Sequence, residues 1–335
     1  MTTQDTFPTI TIHVEDLKPG DIMLFKGDQH EWISQAIMLL TNSDVSHAAL
    51  YYDEQQRNLV DEVLKGVGVH EVSDTTPDAS DAHFVYVRRL KGPDGSAMPM
   101  TPVTDAATKY ITAGEPYDKA SLLLLALILL YKDFTPATWV QKVMIKIFQR
   151  AASIIDELIN DILHPGKHPM VCSQFVFQCF EDSPVQYHLA TDECAVSRLA
   201  PSTSVISDAE SSKRFIDLVR EHMASDMSYA GSYPGLSADI SESDEELAWQ
   251  LVEAMRGDEG ERVQAVPFGL DETLVQSTRQ LADAIVKYHA IPAGPAQDSV
   301  SLLAYNKALF VTPEDLKTGF RSQLSDTGTA WINRK

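Results

Sequence analysis

Apolar and polar residues alternate along much of the first part of the chain, a period of two that is typical of β-strands. A Pro-Gly turn at residues 19–20 leads into a short apolar run, and residues 83–90 alternate again. Residues 47–53 and 58–64 flank the polar sequence EQQR, which predicts a β-hairpin. Residues 31–43 carry apolar side chains at helical spacing, which predicts one short helix among the strands.

The middle of the chain changes to a helical period. Residues 120–131, ASLLLLALILLY, are apolar throughout, and residues 138–163 keep apolar side chains at helical spacing without a proline. A membrane span needs about 20 apolar residues. Residues 120–131 therefore predict a buried helix or one that contacts a membrane surface.

Later in the chain, joints rich in Ser, Gly and Pro separate amphipathic helical patterns, which include residues 214–223, 244–255 and 274–289. We expect residues 201–308 to form an acidic, mainly helical insertion or accessory domain. Its acidic run at residues 241–246 is typical of a solvated helix start, but the insertion could also recruit a protein partner.

The composition limits the partners of the chain. Its 335 residues carry a net charge of −21, with 44% hydrophobic and 22% charged residues, as in ordinary globular proteins. The negative charge argues against nucleic acid and against an anionic membrane surface as general partners. Membrane contact through the apolar residues 120–163 stays open.

Three cysteines, Cys172, Cys179 and Cys194, give no disulfide framework and fit a reducing compartment. Cys172 and Cys179 lie about 10 Å apart on one predicted helix, too far for a disulfide. The first twenty residues show no secretory signal pattern. We therefore expect a cytoplasmic location, with leaderless export or delivery into a host as an alternative.

Cys172 and His47 are the two residues whose chemistry and position most suggest catalysis. Cys172 opens the apolar segment at residues 170–180, and a helix N-terminus and a nearby imidazolium both favour a thiolate there. His47 lies on a predicted strand among small residues, where it can serve as the general base. A buried structural role is the plainer interpretation of either residue alone.

The hairpin predicts a third member of this set. If its turn centres on residues 54–56, Glu62 falls opposite His47 or one position from it, close enough to orient the imidazole. Asp61 would then lie on the other face of the strand, because side chains alternate.

A zinc site is the main competing interpretation of this region. His164, His168 and Cys172 have a spacing that could bind zinc on a helix. Pro165, Gly166 and Pro169 interrupt such a helix. Without a zinc quartet or a phosphate-binding loop elsewhere, we expect no metal and no organic cofactor.

Several short motifs occur in the order known from one enzyme group. They are LKPGDI, SH, a Glu on the next strand, GEPYD, CSQFV and VTPEDL, at residues 17–22, 46–47, 62, 114–118, 172–176 and 311–316. This order resembles the circularly permuted NlpC-type papain-like cysteine hydrolases, which include YiiX-like proteins and, more distantly, lecithin:retinol acyltransferase-like enzymes. In that group the histidine precedes the cysteine, as it does here.

The resemblance implies an α+β fold, in which a small antiparallel sheet packs on the helix that bears the nucleophilic cysteine. The permuted papain-like domain would comprise residues 16–195 and 309–322, with an apolar helical insertion at about residues 119–163. Cys172 would be the nucleophile, His47 the general base and Glu62 the orienting residue. The acyltransferase-like branch carries a second histidine in the orienting role and a different sequence around its cysteine, so this chain departs from it.

The implied reaction is attack of the Cys172 thiolate on an acyl carbon, through an acyl-enzyme. The backbone N–H of Cys172 is one expected oxyanion donor, and Gln35, Ser173 and Tyr117 are further candidates for oxyanion or supporting roles. The substrate would be an amide, such as a peptide, an isopeptide or a cell-wall peptide. A lipid ester or thioester is the alternative substrate, and a catalytically inactive binding module is the non-enzyme alternative.

Overall fold

A computed structural model describes residues 10–63, 66–92, 94–113, 120–161, 171–191, 213–225, 240–256, 270–292 and 298–335. The strands are β1 (Ile22–Lys26), β2 (Val45–Asp53), β3 (Asn58–Val63), β4 (Gly66–Asp74), β5 (His83–Leu90) and β6 (Leu324–Arg334). The helices are α1 (Trp32–Thr41), α2 (Thr101–Ala113), α3 (Ala120–Tyr131), α4 (Thr138–Asp161), α5 (Cys172–Glu181), α6 (Phe215–Ser225), α7 (Asp244–Arg256), α8 (Glu272–Tyr288), α9 (Ser299–Tyr305) and α10 (Pro313–Thr318). The expected mixed α+β class is confirmed.

All six strands form one antiparallel sheet in the order β1-β2-β3-β4-β6-β5, and β5 also pairs with β1, so the sheet closes on itself. The predicted hairpin is confirmed, with EQQR as the turn between β2 and β3. The strand β6 was not predicted from the sequence. This strand pairs with β5 along most of its length and with β4 at its end, and it closes the sheet.

The two faces of the closed sheet bury different partners. The outer face, which includes Leu24 and Leu50, packs against the apolar side of α5 and against α2. The inner face holds apolar side chains such as Met23, Tyr51 and Ile332. Since residues two apart on a strand share a face, His47 lies on the inner face with Ala49 and Tyr51.

Two of the short motifs serve the fold. The fully buried Asp21 of LKPGD accepts two hydrogen bonds from Arg89, at 2.6 and 2.7 Å, and a third from the backbone N–H of Lys18. In VTPEDL, Thr312 caps α10 by exchanging hydrogen bonds with Asp315. These carboxylates hold the turn before β1 and the helix beside β2.

The helices form a second core beside the sheet. In α3, every residue from Leu122 to Tyr131 is at most 6% exposed, as expected of a helix that is apolar on all sides. It packs in one hydrophobic cluster with residues of α1, α4 and the insertion helices α6, α7, α8 and α9. The helical patterns predicted between residues 201 and 308 are thus present at α6, α7 and α8, and they share a core with α3 and α4.

No described helix is both long and apolar enough to cross a membrane. Of the two interpretations of residues 120–131, the structure supports the buried helix for the residues it describes.

Candidate active site

Cys172 is the first residue of α5, as the sequence predicts, and Val171 is the N-cap. The backbone N–H groups of the first turn have no partner within a helix, and they give this end a partial positive charge. Gln174 accepts a hydrogen bond from the backbone N–H of Val171 at 3.1 Å, which fixes the start of the helix. Cys172 itself is only 2% exposed, so its thiol is held in a largely desolvated position.

His47 is the neighbour of this thiol. It lies on β2, where a β-bulge follows its pairing with Phe25, and bulges commonly redirect side chains next to active sites. Burial acts most strongly on the pKa of His47 and lowers it. The charge and hydrogen bond of Cys172, together with those of Asp61, outweigh burial and raise the pKa to about 10. The geometry therefore favours an imidazolium beside the sulfur.

Asp61 binds the other side of the imidazole. Its Oδ2 atom lies 2.8 Å from Nε2 of His47, so Nδ1 is the ring nitrogen that remains for Cys172. Asp61 is fully buried. Burial alone would raise the pKa of its carboxyl, but the hydrogen bond from His47, the nearby imidazole of His70 and the charge of Arg334 hold that pKa well below its usual range. The carboxylate is thus ionised inside the fold.

The assignment of the orienting role to Glu62 is corrected by this contact, because Asp61 occupies the position expected of Glu62. At the turn, Asp53 pairs with Asn58, and this register would place Glu62 opposite Ala49 on the face of His47. A bulge between Tyr51 and Asp53 shifts the register by one residue, so Asp61 pairs with Ala49 instead. A shift of one residue exchanges the two faces of a strand.

Two further residues, neither of them predicted from the sequence, reach Asp61. Nη1 of Arg334 on β6 donates to Oδ2 of Asp61, and Nε2 of His70 on β4 lies 3.3 Å from Oδ1. The alternation of residues 66–74 could have marked His70 as an inward-facing residue. Arg334 gave no local signal, because its role depends on the pairing of β6 with β4.

Phe25 packs beside this polar group on the inner face. Its ring centroid lies 5.4 Å from that of His47 in an edge-to-face arrangement, and the guanidinium of Arg334 lies 5.8 Å from the same ring. This aromatic wall restrains the imidazole and shields the ion pairs from water.

Of the three residues suggested for oxyanion or supporting roles, two are engaged elsewhere. Ser173 is fully buried and donates to the backbone carbonyl of Val311 at 2.7 Å. Gln35 donates its amide to the Gln29 carbonyl and accepts from Arg256. Tyr117 lies outside the described residues. Ser173 thus anchors α5 with its only hydroxyl proton, and the Gln35 side chain is held between Gln29 and Arg256.

The zinc interpretation gains no support in the part of the chain that the structure describes, where no group of three His, Cys, Asp or Glu side chains is placed to hold a metal ion. His164 and His168 lie outside that part, as does Cys194. Cys179 is buried in the core between α5 and the sheet, in agreement with a structural role.

A cavity of about 830 Å³ lies elsewhere, between the LKPGD turn and α2. Lys18, Tyr52, Arg89 and Met100 are among its lining residues, and Cys172, His47 and Asp61 are not. It is therefore separate from the candidate site.

Together, Cys172, His47 and Asp61 have the geometry of a nucleophile, a base and an orienting carboxylate. A thiol at a helix N-terminus, beside an imidazolium held by a buried carboxylate, is suited to attack an electrophilic carbon. No protein-family model matches the chain, and no curated protein matches it.

Proposed function

We propose that the chain is a papain-like cysteine hydrolase of the circularly permuted NlpC type, with Cys172 as nucleophile, His47 as general base and acid, and Asp61 as the orienting carboxylate. The observation that carries the proposal is the continuous contact from Cys172 through His47 to the buried Asp61. The order of histidine before cysteine and the position of Cys172 at the start of α5 agree with it.

The reaction would proceed in two steps. The Cys172 thiolate adds to the acyl carbon of an amide, and the backbone N–H of Cys172 helps to stabilise the oxyanion. His47 donates its proton to the leaving amine as the C–N bond breaks, which leaves a thioester on Cys172. His47, now neutral, takes a proton from water as that water attacks the thioester. Breakage of the C–S bond releases the acid and restores the thiolate–imidazolium pair.

Asp61 supports both steps without exchanging a proton. Its hydrogen bond to Nε2 directs Nδ1 of His47 toward Cys172, and its charge stabilises the imidazolium. The low pKa of its carboxyl keeps Asp61 charged while His47 gains and loses a proton.

An amide substrate, such as a peptide or isopeptide, is preferred over a lipid ester. The lipid alternative depended on the apolar helices of residues 120–163 as a lid or docking face. The apolar residues of α3 pack inside the helical core instead, so they are not available as such a face.

The test is the pH dependence of cysteine alkylation by iodoacetamide, measured by peptide mass spectrometry on the full chain. Near pH 6 we expect Cys172 to react fast, whereas an unperturbed thiol reacts only as the pH approaches about 8.5. Cys179, on the same helix, is the internal control and should stay slow. His47→Gln should remove the fast reaction.

Two results would overturn the proposal. The first is alkylation of wild-type Cys172 that speeds up only as the pH approaches about 8.5, as expected of an unperturbed thiol. The second is fast alkylation of Cys172 that persists unchanged in His47→Gln, because the thiolate would then not depend on the imidazole.

A further inference from the structure

Gly68 lies directly opposite Asp61 in the pairing of β3 with β4. Its φ angle lies outside the left-handed region, so the backbone conformation does not require glycine. The reason for glycine at this position is instead the space that its missing side chain leaves. A Cβ atom at this position would lie 2.8 Å from Nε2 of His70, closer than a Cβ atom comes to a neighbouring atom, so the imidazole would have to move.

His70 uses that space to reach the orienting carboxylate. It lies two residues from Gly68 on the same strand face, and its imidazole crosses over Gly68 toward Asp61. Its Nε2 atom is 3.3 Å from Oδ1 of Asp61. Both atoms are buried, and neither has a hydrogen-bond partner in the described part of the chain, so they lie close together without a well-aligned hydrogen bond.

Buried polar atoms without a partner are costly, and a proton on Nε2 of His70 would serve both atoms. His70 would then donate to Oδ1, while Oδ2 accepts from His47 and Arg334. Donors on both oxygens fix the plane of the carboxylate, and the direction of the hydrogen bond to His47 then becomes fixed as well.

We propose that His70 is a positioning residue of the active site, which acts on His47 through Asp61 and depends on Gly68 for room. This inference rests on the proposed function, since it assigns His70 a role in the same reactive group. It adds a fourth side chain to the set, with Cys172, His47, Asp61 and His70 in sequential contact.

The experiment measures Cys172 alkylation against pH in His70→Ala, His70→Gln and Gly68→Ala, with the folded fraction of each variant determined by circular dichroism. We expect His70→Ala to slow alkylation near pH 6 by about tenfold, the effect of losing one buried hydrogen bond to a charged group. His70→Gln keeps a donor and should recover most of the rate. Gly68→Ala displaces the imidazole without removing it and should resemble His70→Ala.

The double variant Gly68→Ala/His70→Ala separates this role from a structural one. If Gly68 acts only by making room for His70, alanine at residue 68 has no further effect on alkylation once His70 is absent. The two single effects would then not add. A merely structural role would lower stability in all variants but leave the pH profile of Cys172 unchanged in the folded protein.

The proposal is overturned if folded His70→Ala alkylates like the wild type, or if the two single effects add in the double variant. In either case fast alkylation of Cys172 in the wild type still supports the proposed function. Failure of the proposed function is recognised separately, by alkylation of wild-type Cys172 that speeds up only as the pH approaches about 8.5.

Discussion

Arg334 donates to Oδ2 of Asp61, the same oxygen that binds Nε2 of His47. Arg334 and Asp61 are 273 positions apart in the sequence, and the pairing of β6 with β4 brings them together. The Arg334 side chain is 26% exposed, whereas that of Asp61 is fully buried. Together with the hydrogen bond from His47, the positive charge that the last strand supplies keeps the orienting carboxylate ionised.

Replacement of Arg334 by Gln should destabilise the protein, because a buried carboxylate loses its cationic partner. We expect the free energy of unfolding to fall by about 2–4 kcal/mol, since breaking a buried ion pair leaves an uncompensated charge. Arg334→Lys keeps the charge but loses the planar donor geometry. Its free energy of unfolding should therefore lie between those of the wild type and Arg334→Gln. Urea denaturation measures the change.

The matched control is Lys335→Gln, which changes an exposed positive charge at the next residue. It should alter stability by less than about 0.5 kcal/mol. Equal unfolding curves for Arg334→Gln and Lys335→Gln would show that the ion pair with Asp61 contributes little.

Asp61→Asn and Glu62→Gln test which carboxylate orients His47. Asp61→Asn removes the charge beside Nε2 and allows the wrong tautomer, a change that greatly impairs comparable triads. We expect alkylation of Cys172 near pH 6 to slow by at least about tenfold. Glu62→Gln, the same change at the neighbouring residue, should leave the rate unchanged. Slower alkylation in Glu62→Gln alone would restore the interpretation made from the sequence.

The sequence predicted those parts of the site that depend on local patterns. Cys172 starts a helix and His47 lies on a strand, and both follow from residue spacing along short segments. The orienting residue depends on the register of β2 with β3, which a bulge shifts by one residue. No alternation pattern records such a shift, so the sequence alone points to Glu62 and places Asp61 on the other face.

The contributions of His70 and Arg334 depend on contacts between distant strands. Residues 324–334 gave no prediction of a strand that closes the sheet, so the approach of Arg334 to Asp61 could not be inferred. The helical patterns predicted the insertion helices well. That they share a core with α3 and α4 follows from packing that sequence periodicity does not specify.

Because the insertion helices share a core with α3 and α4, mutations on either side of that core should destabilise the same structure. Leu125 on α3 and Leu281 on α8 are fully buried in the same cluster. We expect Leu125→Ala and Leu281→Ala each to lower the free energy of unfolding by about 2–5 kcal/mol. Lys287→Ala, at an exposed position of α8, is the control and should change it by less than about 0.5 kcal/mol.

Far-ultraviolet circular dichroism during urea denaturation gives both the stability and the number of transitions. If residues 201–308 formed an independent accessory domain, Leu281→Ala would shift a separate transition and leave the remainder of the protein unaffected. The common core predicts instead that the helices on both sides of the cluster lose structure together.

The pH dependence of stability tests the ion pair between Cys172 and His47. Although burial lowers the pKa of His47, Cys172 and Asp61 raise it to about 10, from an ordinary value of 6.5. Because the folded state holds this proton more tightly, His47 stabilises the fold fully below pH 6.5. That contribution is lost as the pH rises to about 10.

The loss of stability should therefore extend over the interval from pH 6.5 to about 10. Cys172→Ala removes the largest of the effects that raise the pKa of His47, so its stability should fall less over this interval. Cys179→Ala keeps the pair and should follow the wild-type slope, although it starts from a lower stability because it leaves a small cavity. If the free energy of unfolding depends on pH in the same way in the wild type and in Cys172→Ala, no such ion pair stabilises the fold.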